Sequence, residues 1–233
     1  MQSEKMCVAL LFGGMSSEHE VSRVSVGNFV NNIDREKYEV LTVGITKEAG
    51  NMPCVISPDR ADHGMILFTP EGHVEKLHID VVIPVLHGLW GEDGTVQGLL
   101  ELAGIPYVGC GVLASAVCMD KAVANALFEA NGVPHTKWLA ANRWEIESDL
   151  EGVCEGVEKK LGWPVFVKPA NAGSSVGISK VNSREELKKA IDLALENDRK
   201  VVFEAFVDGQ EVECAVIGSD PAVATRPGEI LAG

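Results

Sequence analysis

Lys168 closes a short apolar run, Trp163 to Val167, and opens the stretch Lys168-Pro169-Ala170-Asn171-Ala172-Gly173-Ser174-Ser175-Val176-Gly177. The β-branched and aromatic residues before it read as a buried strand, and Ile178 to Val181 read as a second one. A Gly/Ser loop between two strands, headed by an ammonium, suits polyphosphate chemistry. Small residues let backbone N–H groups approach an anion, the hydroxyls of Ser174 and Ser175 add donors, and Lys168 supplies charge. An ordinary hairpin with a flexible tip has the same composition, so the loop alone leaves both readings open.

Two further clusters could do chemistry. Phe12 to Ser22 forms a strand-to-helix turn rich in polar groups, with Ser16, Ser17, Glu18, His19 and Glu20 in succession. In open α/β sheets ligands bind beyond the carboxyl ends of strands, where this turn lies. Glu18 could hold a substrate ammonium there while helix N-terminal amides face an anion. Acids in a first helical turn also complement the helix dipole, which accounts for Glu18 and Glu20 equally well. His87 to Gly94 carries a histidine, two acids and three glycines between a strand end and a helix. No second histidine lies at ligand spacing, so a substrate-side loop fits better than a metal centre.

Lys121 opens a helix and by itself reads as a solvated charge. Glu204 and Glu211 flank the Asp208-Gly209 turn, where a backbone hinge could take an adenine edge and a carboxylate a ribose; edge-strand charges would look the same. Gly109 to Ala114 matches the G-x-G-x-x-A form of the dinucleotide fingerprint, but the acid about 20 positions on, Glu129, falls in a helical pattern. No G-x-x-x-x-G-K-[ST] loop is present.

Several elements must position these groups. Met6 to Phe12 is a continuous apolar run, expected as a parallel strand buried on both faces. A helix begins after Ser16 or Ser17, and strands come next at Tyr38–Ile45 and Asp80–Pro84. Beyond them lie a helix from Thr95 to Ala103 ended by Gly104, and a short strand at Ile105–Val108. This alternation indicates an α/β layer. From about Cys118 the pattern changes: a helix over Asp120–Ala130, a strand from Lys137, and a helix over Glu147–Leu161. After the Lys168 loop come a helix over Ser183–Leu195 and strands at Val201–Phe206 and Val212–Ile217. That order predicts a second, α+β domain.

The 233 residues carry 20 basic and 34 acidic side chains, a net charge of −14, which argues against a nucleic-acid groove or an anionic membrane as partner. A hydrophobic fraction of 46% supports a packed core. The six cysteines form no C-x-x-C pair, which fits a reducing cytoplasm better than a disulfide framework or a zinc site. No apolar run approaches the ~20 residues of a membrane span, and the N-terminus lacks the flanks of a signal peptide.

Four motifs then stand together in order. They are Gly-Gly-x-Ser-x-Glu-x-Glu-Val-Ser from Gly13, His-Gly-x-x-Gly-Glu-Asp-Gly-Thr-x-Gln-Gly from His87, Met-Asp-Lys from Met119, and Val-Lys-Pro-x-x-x-Gly-Ser-Ser-Val-Gly from Val167. The series resembles the signatures of D-alanine–D-alanine ligases, ATP-grasp enzymes of peptidoglycan precursor synthesis. The resemblance implies a Rossmann-like, pre-ATP-grasp parallel-sheet domain over 1–118 and a central ATP-grasp lobe over 119–207. The start of a C-terminal domain would occupy 208–233, leaving the ATP-grasp domain incomplete.

By motif position, Glu18 would bind the ammonium of the first D-alanine, with Val21 and Ser22 beside it and His87 lining the dipeptide site. Lys121 and Lys168 would contact ATP phosphates, and Ser174 and Ser175 would belong to the covering loop. Glu18 and Ser174 would serve the catalytic step; Glu204 and Val207 would meet adenine and Glu211 the ribose. ATP is the implied nucleotide, with Mg2+ held by residues outside these 233, and a homodimer through the first domain is implied too. On that basis these 233 residues by themselves are expected to bind nucleotide at most, without turnover. The stretch Thr46–Asn51 departs from the family by being short. Rival readings are a D-alanine–D-lactate or D-alanine–D-serine ligase, a non-catalytic nucleotide-binding module, and an NAD-dependent oxidoreductase resting on Gly109–Ala114.

Overall fold

Why Met6 to Gly13 must be a central strand is visible in its side chains. Val8, Ala9, Leu10 and Leu11 are all at most 2% exposed, and successive residues of a strand point to opposite faces. Ala9 and Leu11 pack with Ile79, Val82, Leu86, Val96 and Leu100 on one face; Val8 and Leu10 pack with Val26 and Val85 on the other. The computed structural model describes residues 5–47, 54–56, 64–68 and 74–231.

In chain order the first elements are β1 (Met6–Gly13), α1 (His19–Asn32), β2 (Tyr38–Ile45), β3 (Cys54–Ile56), β4 (Gly64–Phe68), β5 (Val74–His78), β6 (Val81–Val85) and α2 (Thr95–Ala103). β1 lies between β2 and β6, parallel to both. Its carboxyl end therefore meets those of β2 and β6 along one edge, and the turns at residues 13–18 and 86–94 leave from that edge. α2 ends at Gly104, left-handed at φ 66°, the conformation glycine adopts without steric cost. Ile105–Val108, expected as a strand, contributes only a bridge from Tyr107 to Val82; Pro106 has no N–H to extend the ladder. β3, β4 and β5 form an antiparallel sheet of their own, which the sequence pattern does not reveal. The short stretch at Thr46–Asn51 lies mostly outside the described residues.

The chain continues through α3 (Val112–Met119), α4 (Lys121–Ala130), β7 (Trp138–Asn142), α5 (Arg143–Ser148), α6 (Leu150–Leu161), β8 (Val165–Pro169), β9 (Ser179–Val181), α7 (Arg184–Leu195) and β10 (Lys200–Ala205). Strands β7, β10, β8 and β9 pair in that order as an antiparallel sheet. The helix expected over Glu147–Leu161 is two helices. Asp149 accepts the Gly152 N–H at 2.9 Å and so starts a new helix where a continuous one would need it as an interior residue. Val212–Ile217 likewise divides into β11 (Val212–Glu213) and β12 (Val216–Ile217). These pair separately with β14 (Gly228–Glu229) and β13 (Val223–Ala224).

Register in the antiparallel sheet decides which side chains share a face. Val201 and Phe203 of β10, with Val165 and Val167 of β8, face a core shared with Val157, Leu187 and Ile191. Val202 points the other way, toward Ala122 of α4, Ala170 and Trp138. Lys168 stands opposite Val202 and Glu204 opposite Phe166, so both charged side chains share the face turned away from the larger core. Phe203, 1% exposed on the central strand, carries much of that core. Phe203→Ala should lower the unfolding free energy by about 3–5 kcal/mol in urea denaturation. Leu193→Ala, at a site 40% exposed, should cost far less.

Candidate active site

The carboxyl edge of the parallel sheet is built from short hydrogen bonds. Ser22, fully buried, accepts the Gly13 N–H at 2.7 Å and donates to the Val85 carbonyl, joining the ends of β1 and β6. Ser16 donates to the His87 carbonyl at 2.7 Å and accepts the Glu18 N–H at 3.2 Å. The turn at 13–18 and the loop at 87–94 are thereby one unit. Within that loop, Glu92 accepts the Gly88 N–H at 2.7 Å, and Asp93 accepts the N–H groups of Trp90 and Thr95 at 2.9 and 3.0 Å. The ring of His87 lies with Nε2 3.1 Å from Ser25 Oγ and Nδ1 3.9 Å from Glu92.

Glu18 stands at the N-cap position of α1 without a side-chain cap bond, and is 7% exposed. Its carboxylate sits so close to Gly88 and Gly173 that a Cβ at either would overlap it. Gly88 is also left-handed, at φ 70°. The Ser174 hydroxyl donates to Glu18 across 156 positions of sequence, bringing the glycine–serine loop of the second lobe onto the turn of the first. That loop is a pair of tight turns, with Val176 N–H on the Gly173 carbonyl at 3.1 Å and Ile178 N–H on the Ser175 carbonyl at 3.3 Å. Ser174 and Ser175 both hold positive φ, 46° and 60°, a conformation non-glycine residues adopt only when their surroundings enforce it. Lys121 secures the loop's base: its ammonium donates to the Ala172 carbonyl at 2.6 Å and reaches that of Ala170 at 3.4 Å.

Beside that base lies the charged pair set up by sheet register. Lys168 Nζ is 2.6 Å from Glu204 Oε2, and the two side chains are 22% and 15% exposed. The other carboxylate oxygen accepts from Asn125 Nδ2 at 2.9 Å. Burial alone would raise the Glu204 pKa, but the Lys168 and Asn125 hydrogen bonds and the Lys168 charge more than offset it, and it lies below the usual carboxylate range. Burial, followed by repulsion from Lys168, lowers the Lys121 pKa, with Glu204, Asp120 and Asp198 opposing.

The structure therefore gathers Glu18, His87 and Ser174 in one place and Lys121, Lys168 and Glu204 in another, joined by the 170–177 loop. Ser22 is present at the first, with its hydroxyl engaged inside the turn. Val21 is half exposed on α1, while Val207 and Glu211 come after β10 on exposed backbone. Gly111 caps α3, and the segment before it contributes a single bridge rather than the strand a dinucleotide fingerprint needs. Asn125 is a site residue that the motifs do not mark. It lies four residues after Lys121 on the same helix face, but only the fold brings it to Glu204. Among the described residues no group of three His, Cys, Asp or Glu side chains converges to hold a metal, and no helix is long and apolar enough to cross a membrane.

A lysine-bearing antiparallel sheet with a glycine–serine loop folded toward a parallel-sheet lobe is the arrangement of the ATP-grasp enzymes. Comparison with known proteins narrows the class. Family models described as D-ala D-ala ligase N-terminus and D-ala D-ala ligase C-terminus match residues 7–110 and 127–233. A D-alanine–D-alanine ligase of Caldicellulosiruptor bescii is 46% identical over 97% of this chain and 67% of its own length. Among solved structures, the VanG D-Ala:D-Ser ligase of Enterococcus faecalis superposes with a TM-score of 0.83 at 37% identity, over 97% of this chain and 70% of that one. A Bacillus anthracis D-alanine–D-alanine ligase complexed with ATP gives 0.70 at 29% identity, over 98% and 70%. The chain belongs to the D-alanine–D-alanine ligase family.

Because the folded pKa of Glu204 is depressed, the stability it contributes is present above the unfolded carboxylate value, about 4.3. It is lost as pH falls through the folded value. Glu204→Gln should therefore be less stable than wild type at pH 7, and the gap should close as pH is lowered below about 4. Melting temperatures of both proteins across pH 3–7 check this.

Proposed function

We propose that the protein joins two D-alanines into D-alanyl-D-alanine at the expense of ATP, for peptidoglycan precursor synthesis. The observation that carries this is the Ser174–Glu18 hydrogen bond, supported by family membership. It sets the loop beside the candidate phosphate lysines directly over the carboxylate suited to a substrate ammonium. In this reading Glu18 holds the ammonium of the first D-alanine, with Val21, Ser22 and His87 around it. The substrate's carboxylate oxygen attacks the γ-phosphorus, ADP leaves, and an acyl phosphate forms. The second D-alanine, its amine having lost a proton, attacks that carbonyl through a tetrahedral intermediate; phosphate departs and the peptide bond remains.

The part of these residues is positioning and charge neutralisation. Lys121 and Lys168 face the phosphates, Ser174 and Ser175 cover them, and Glu204, Val207 and Glu211 take the nucleoside. Mg2+ is the family's expected counter-ion, but the described residues do not assemble a site for it, and none is assigned to hold it. The reading divides the chain into 1–118, 119–207 and 208–233, in keeping with the separate hydrophobic clusters of the two main sheets. It also makes the protein cytoplasmic and a homodimer through its first domain.

Two substitutions in the full-length protein test the roles separately. Glu18→Gln should raise KM for D-alanine about tenfold or more with little effect on ATP. Lys168→Ala should cost roughly 10–100-fold in kcat/KM for ATP, the loss of one charge-assisted contact. Wild-type phosphate release by Lys168→Ala in the presence of D-alanine would remove the assignment. A panel of D-alanine, D-serine and D-lactate as second substrate, monitored by ADP production, should show D-alanine preferred.

A further inference from the structure

We infer that Asn125 is a positioning residue of the nucleotide site, one that allows Lys168 to leave Glu204 for an anionic ligand. This rests on the proposed role of Lys168 as a phosphate contact. In the structure Lys168 is bonded to a carboxylate 15% exposed, so its ammonium is already engaged. Moving it to a phosphate would strand that carboxylate in a site poor in water, and leaving a buried charge without a partner costs more than the bond is worth when made. Asn125 changes this balance. It is 7% exposed, sits on α4 four residues from Lys121, and donates to the carboxylate oxygen that Lys168 does not contact, at 2.9 Å. With Lys168 withdrawn, Glu204 keeps one fixed donor. A neutral amide also adds no charge to compete with the ligand for either lysine.

Calorimetric titration of a non-hydrolysable ATP analogue into wild type, Asn125→Ser, Glu204→Gln and the double variant tests this as a cycle. Asn125→Ser, too short to reach the carboxylate, should weaken binding about tenfold, and the same change in the Glu204→Gln background should alter it less than about twofold. That second comparison separates action through the carboxylate from general damage to α4, which would weaken binding in both backgrounds. Asn125→Asp, which sets a second acid beside Lys168, should weaken binding further. Affinities within twofold of wild type for both single variants at 125, or an equal loss with and without the Glu204 carboxylate, overturn the inference while leaving the nucleotide site standing. Failure of wild type itself to bind the analogue sinks the site and the inference together.

Discussion

An ammonium and a carboxylate 2.6 Å apart, both largely out of water, are tolerated only because each has partners and because the sheet gives them no other face to occupy. Strand alternation puts Val165, Val167, Val201 and Phe203 into the larger core, so Lys168 and Glu204 must lie opposite. There Val202, Ala122 and Ala170 form a thin apolar floor, and α4 supplies Asn125 and Lys121. Breaking a pair so placed is costlier than never having made it. These side chains link α4, the base of the 170–177 loop and the adjoining strands β8 and β10.

The second dependence is steric. The Glu18 carboxylate lies against backbone at Gly88 and Gly173, where an added Cβ would have to displace it, and is approached by Ser174 in a left-handed conformation. One carboxylate thus fixes the relative approach of three segments: the turn after β1, the loop after β6 and the loop after β8. Each is itself short and internally bonded, through Ser16 and Ser22, through Glu92 and Asp93, and through the turns at 173–178. The charged pair is made within the second lobe. The Glu18 contact is what brings that lobe's loop to the first.

Much of this was legible from sequence where one residue type had only one use. The apolar run at Met6, the helix closed by Gly104 and the Gly/Ser loop after Lys168 all carried their own punctuation. Legibility failed where geometry depended on distant partners or on residues with two uses. Asp149 could sit inside a helix or cap one, and its bond to the Gly152 N–H is what makes it a cap. Val212–Ile217 has the composition of one strand, yet its ends find different partners. β3 is three residues long, too short to show a period. Asn125 reads as an ordinary helical residue until Glu204, 79 positions away, is brought beside it. Family resemblance located Lys121, Lys168 and Glu204, but it could not tell that two of them are bonded to each other.

The overall charge gives the local arrangement its significance. With a net charge of −14 the protein's mean field repels a polyphosphate, yet in physiological salt that field is screened beyond about 8 Å, leaving the nearest groups to decide. Close to the loop these are Lys121 and Lys168 against Glu204 and Glu18, the latter bonded to Ser174, with Asp120 occupied by Lys200 and Asp198 by Asn171. The neighbouring acids are thus already bonded to cationic or neutral donors, and the balance of the site turns on which partner Lys168 has. Bonded to Glu204 it is neutralised. Were it bonded to a phosphate, as proposed, it would leave Glu204 to Asn125, and the excess positive charge would fall where the anion lies. An acidic protein can in this way present a cationic site only when an anion is there to complete it.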